Sequence, residues 1–109
     1  MSEQADGAKK VFTYDEAARL MPEVRRLTEA AHGQVEALAK GGGADAAGEV
    51  EAILTRWAHD VMRLGIDVKG RWLVDFDNGA GYYCWKYPEA SLQFFHGYEE
   101  GFGGRVKLQ

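Results

Sequence analysis

The hydrophobic pattern of this chain changes period once, at Gly65-Ile66. Before that point apolar residues recur at steps of three and four; after it they fall at about every second position. The first spacing stripes one side of a helix and the second alternates across a strand, so a helical half must pack against a sheet half.

Thr13-Tyr14-Asp15-Glu16 predicts where the first helix begins. The Thr13 hydroxyl can accept from the Glu16 amide while the Glu16 carboxylate reaches back to the Thr13 amide, as in a capping box. Leu20, Val24, Leu27, Ala31, Val35 and Leu38 then form one apolar stripe. Pro22 lacks an amide hydrogen and crowds the Ala18 carbonyl, which predicts a kink there or a restart with Pro22 in a first turn. Gly41-Gly42-Gly43 ends the helix, because residues without a Cβ lose the most backbone entropy in a helix and supply a left-handed turn. A second helix is expected from Ala44 or Asp45 to Leu64, with Ile53, Leu54, Trp57 and Val61 facing the core and Gly65 as its stop.

After Gly65 the segments Ile66–Val68, Trp72–Phe76, Tyr82–Tyr87 and Leu92–His96 read as strands bounded by turn residues. Their connections are short enough for sequential antiparallel pairing. The expected fold is α+β, an N-terminal antiparallel helical hairpin packed on a three- to four-stranded antiparallel β-meander. It forms a single domain over 12–109, with the hairpin at 13–64 and the sheet plus a Gly-rich C-terminal cap at 66–109. Residues 1–11 are polar and read as a disordered tail without a signal core.

The order of several short pieces resembles an uncharacterised bacterial family, domain of unknown function 2203. Phe12-Thr13 and Met21-Pro22 match its helix start and its Leu-Pro step, with Met in place of Leu. Val68-Lys69, Leu73-Val74-Asp75-Phe76, Cys84-Trp85 and Gly101-Phe102-x-Gly104-Arg105 match its later pieces. Phe95-His96 stands where that family commonly shows Trp-His, and the Asp75-to-Cys84 spacing is short and glycine-rich by comparison. The resemblance implies a fold and a set of residues to watch, and it implies no reaction.

The C-terminal stretch carries the chemistry. His96 precedes Glu99 and Glu100 by three and four residues, so a helical turn there would place all three on one face, able to hold a divalent metal or exchange a proton. Asp75 or Cys84 from adjacent strands would complete the ligand set. The plainer reading makes His96 a hydrogen-bonded strand end and the glutamates solvated groups. Arg105 offers a fork to a small carboxylate or phosphate, or else fastens the C-terminus to Glu99, Glu100 or Asp75. Cys84 reads as a buried small apolar group, or as a nucleophile if His96 lowers its pKa.

Ten of thirteen aromatic residues lie after position 65, too many for one sheet face beneath two helices, which predicts rings such as Trp85 on an outer face. Surfaces of that kind suit a protein partner, most economically a second copy of the chain. A net charge of −4 opposes nucleic acid, and no apolar run approaches the span of a bilayer. A single cysteine and the missing signal favour the cytoplasm. The expectation is therefore a binding or assembly module that homodimerises through an aromatic sheet face, with His96, Glu99, Glu100, Arg105, Asp75 and Trp85 as candidate ligand residues. The alternative is a small metal-dependent or acid–base enzyme built on the His/Glu/Asp cluster.

Overall fold

The computed structural model describes residues 10–108; the tail expected over 1–11 lies, through residue 9, outside them. Helix α1 runs over Tyr14–Gly41 and α2 over Ala46–Met62. The capping box forms as the sequence predicts, with Glu16 N donating to Thr13 Oγ1 at 3.1 Å and Thr13 N to Glu16 Oε1 at 2.9 Å. Helix α1 runs through Pro22 without restarting. It ends where Gly42 takes φ +62° and donates its amide to the Leu38 carbonyl at 3.0 Å, a left-handed cap that glycine adopts without strain.

Five strands follow: β1 Asp67–Gly70, β2 Leu73–Asp77, β3 Tyr82–Lys86, β4 Phe94–His96 and β5 Val106–Lys107. They pair antiparallel in sequence order, a complete meander with β1 and β5 at its edges. The count exceeds the expected three to four because β5 returns after a 3-10 turn at Phe102–Gly104. Two residues are too few to show a period of two.

Register sorts the side chains. Val74 pairs with Trp85, and Phe76 with Tyr83, which pairs with Phe95; alternation puts these five on the face toward the helices. There Val74, Phe76 and Trp85 join Phe12, Val24, Val61 and Trp57 in one core, with Tyr83 packed against it. Trp85 is therefore fully buried, not outward as the aromatic surplus suggested. The core absorbs rings by edge-to-face contacts such as Trp57 with Trp72 at 5.0 Å between centroids and Phe12 with Phe76 at 5.4 Å. Trp72 sits in the β1–β2 turn at φ +63°, not in the strand expected to begin with it. That backbone turn aims its indole at α2.

One polar group is built into the helical core. Thr28 is fully buried, donates to the Val24 carbonyl at 2.7 Å and accepts from Trp57 Nε1 at 2.9 Å. The indole that fills the gap between the helices thus has its N–H satisfied.

Candidate functional site

The other face of the sheet carries Asp75, Cys84 and Phe94 in one cross-strand row and Asp77, Tyr82 and His96 in the next. An outward row of a two-layer fold is ordinarily wet. Here Asp75, Cys84 and His96 are all buried, at 2%, 1% and 3% exposure. Their three ligand-type atoms lie within 4.8 Å of one another.

Asp75 is the centre. Its Oδ2 accepts from Lys69 Nζ at 3.1 Å and faces His96 Nε2 at 3.0 Å. Its Oδ1 is buried and has no hydrogen-bond partner among the described residues. Burial works against the Lys69 charge, but the hydrogen bond and charge of Asp75 outweigh it and hold the ammonium above its ordinary range. The same ammonium sits 3.8 Å over the Tyr82 ring.

His96 meets an acceptor at each ring nitrogen. Nδ1 lies 2.9 Å from the Gly97 carbonyl, which can only accept, and Nε2 faces the carboxylate. Neither nitrogen is presented to Cys84, so the set is not a nucleophile–base–carboxylate relay. Burial pushes the Cys84 thiol up to about 12, the Asp75 carboxylate adds to the rise, and Arg105 opposes it. Near neutral pH the thiol keeps its proton.

Arg105 closes the cluster from the C-terminal side. Its Nη1 and Nη2 donate to Glu89 Oε1 and Oε2 at 3.0 and 2.7 Å, a bidentate pair, and its plane lies 4.0 Å from each of the Phe94 and Phe102 rings. Burial disfavours the guanidinium charge, yet Glu89 prevails and raises its pKa. The expected fastening is therefore present with a different partner, Glu89 of the β3–β4 connection in place of Glu99, Glu100 or Asp75. Nη1 also lies 3.9 Å from Cys84 Sγ.

Of the candidate residues, the structure brings together His96 and Asp75, with Cys84, and sets Arg105 beside them. Glu99 and Glu100 stay outside, because the chain after His96 makes a non-helical turn. Glu100 Oε1 instead accepts from the Gly97 amide at 2.9 Å, and Glu99 is exposed. Trp85 lies on the opposite face, its Nε1 donating to the Glu89 carbonyl at 3.0 Å. Glu89, a charge in a turn, gave no sign of a role in the sequence, and Lys69 entered only through the Val68-Lys69 resemblance; strand register and folding reveal the partner of each.

An antiparallel meander with a helical hairpin on one face and a buried polar cluster on the other defines a class of small α+β domain. The chain belongs to the uncharacterized conserved protein family DUF2203, whose model matches residues 10–108. The comparisons match no curated protein and no solved structure to it. Among the described residues no helix is long and apolar enough to cross a membrane.

Proposed function

We propose that this domain is a non-catalytic binding and assembly module of the bacterial cytoplasm that pairs with a second copy of itself along the β5 edge. One observation carries the reading. Two of the six exposed large apolar side chains among the described residues, Phe102 and Val106, lie on β5 and the 3-10 turn that leads into it. Strand β5 has a neighbour on one side only, so its other side is open to antiparallel pairing across a two-fold axis. Its two residues and the charge of Lys107 disfavour open-ended stacking and suit a closed pair.

The same reading accounts for what the polar groups do. A small anion at Arg105 would have to displace Glu89, and a thiol enzyme would need Cys84 ionised, so neither is favoured. The free thiol and the acidic balance agree with a reducing compartment and a protein partner.

Sedimentation of the full chain tests the assembly directly. A dimer at tens of micromolar is expected, shifting to monomer in Phe102→Asp and Val106→Asp. A parent protein that stays strictly monomeric at that concentration overturns the reading.

A further inference from the structure

We infer that Asp75, Cys84 and His96 form a binding site for one divalent transition-metal ion of the zinc class. This goes beyond self-association and does not depend on it.

The ligand types select the ion. A carboxylate, a thiol and an imidazole on three adjacent strands match the mixed oxygen, sulfur and nitrogen sets that zinc takes, whereas magnesium and calcium require oxygen alone. The spacing fits as well. Metal–ligand bonds of about 2.0–2.3 Å in a tetrahedron put ligand atoms about 3.3–3.8 Å apart, a small contraction from atoms already within 4.8 Å.

Two further features point to an ion independently of the residue types. Asp75 Oδ1 is a buried carboxylate oxygen with no partner among the described residues, a condition that costs free energy and that a cation would relieve. His96 is oriented as metal-bound histidines are: Nδ1 is held by the Gly97 carbonyl, which leaves Nε2 as the ligand atom and aims it into the cluster.

Charge balance permits the exchange. The ion binds the Cys84 sulfur as thiolate, and the thiol proton leaves to solvent. The thiolate and the Asp75 carboxylate together set two negative charges against the ion's two positive ones, so the buried cluster avoids the large cost of an uncompensated ion. Lys69, over a third exposed, is the group at the entry, and its flexible stem lets the ammonium retreat to water while Asp75 turns to the metal. The Cβ-free Gly97 and Gly104 let the capping segment lie close over the site, with Glu100 filling the space a side chain would take.

Cobalt(II) and zinc chloride added to the full chain, purified without an affinity tag, decide the matter. One equivalent of cobalt should give d–d bands of tetrahedral intensity and a near-ultraviolet thiolate-to-cobalt charge-transfer band, both removed by zinc or a chelator. The chain has one cysteine, so that band reports on Cys84 alone. Zinc should raise the melting temperature by preferential binding to the folded state, and magnesium should not. Cys84→Ser and His96→Gln should each lower zinc affinity by at least about tenfold, since even the partners that orient metal ligands register on that scale. No saturable binding, cobalt binding without the charge-transfer band, or unchanged zinc affinity in a folded Cys84→Ser protein would overturn the inference. The last outcome would place the ion elsewhere, as at His32 and Glu36. Because the cobalt spectrum is read on the parent protein, the test holds even if a variant fails to fold, and it stands whether the protein sediments as monomer or dimer.

Discussion

Arg105 and Glu89, sixteen residues apart, meet in two parallel hydrogen bonds of 3.0 and 2.7 Å between two phenylalanine rings, and this contact ties the last segment of the chain to the β3–β4 connection. Glu89 also accepts from the Lys86 amide at 2.9 Å, so the pair is anchored in the sheet and not adrift on the surface. A pair this sheltered contributes more than an exposed one, for which the gain is near zero.

Arg105→Lys should therefore lose about 1–3 kcal/mol, since an ammonium cannot reproduce the fork and loses the ring stacking. In a double-mutant cycle with Glu89→Gln the double variant should lose less than the sum of the two single losses, read by urea denaturation. Inorganic phosphate should leave the melting temperature of the parent unchanged. A phosphate-dependent rise abolished by Arg105→Lys would make Arg105 a ligand residue after all.

Thr28→Val should cost about 1–3 kcal/mol although it keeps the shape of the side chain, because Trp57 Nε1 is left buried without an acceptor. Adding Trp57→Phe should recover part of that loss by removing the orphaned donor. If Thr28→Val is neutral in chemical denaturation, the hydrogen bond between the two helices is not formed.

Leu92→Ala should cost more than Leu54→Ala, about 2–5 against about 1–2 kcal/mol. Leu92 is 2% exposed beneath the Tyr14 hydroxyl's bond to its carbonyl, whereas Leu54 and Leu27 only border the core. Equal losses in denaturation would show that the helical stripe is sealed at Leu54.

The contrast between Leu54 and Leu92 marks what local pattern conveys. The capping box, the helical stripes and the switch to alternation are read from neighbouring residues, and the helices and the first four strands follow from them. Leu54 shares its stripe with the buried Trp57 and Val61, but the stripe does not say how far the partner surface extends. What escaped the sequence depends on register between distant residues. Asp75 meets His96 across twenty-one positions, Glu89 meets Arg105 across sixteen, and Lys69 reaches Asp75 around a turn. Two-residue β5 carries no period of its own and is defined only by Phe94 and Phe95 beside it. The aromatic surplus placed rings on the outer face, where Tyr82 and Phe94 do lie, but not Trp85: counting rings ignores that Trp72, carried in a turn, and Tyr87 fill the inner layer from beyond the strands.

Gly81→Ala should destabilise the sheet by about 1–3 kcal/mol, the range for a group forced into a packed site. A Cβ there would stand 2.5 Å from the His96 carbonyl oxygen and 2.7 Å from the Phe95 ring, and the oxygen belongs to backbone that cannot swing aside. The same substitution at Gly103, where nothing lies within 4 Å, should cost little. Comparable losses in the two variants would mean that strands β3 and β4 do not approach as closely as described.

Cys84 should resist alkylation in the folded protein. It is 1% exposed, and its pKa is pushed up to about 12 first by burial and then by the Asp75 carboxylate. The thiolate is the reactive form, so below the pKa the rate should climb about tenfold for each pH unit. Iodoacetamide should thus modify the native protein far more slowly than the urea-unfolded chain at pH 8. The native rate should still be rising at pH 10, where an ordinary cysteine, with a pKa of about 8.5, has levelled off. The sign also distinguishes mechanisms: a thiol activated by His96 would plateau below neutral pH and react faster folded than unfolded. That result would restore the nucleophilic reading, since it would require an imidazolium facing the sulfur where the structure has both ring nitrogens turned to other acceptors.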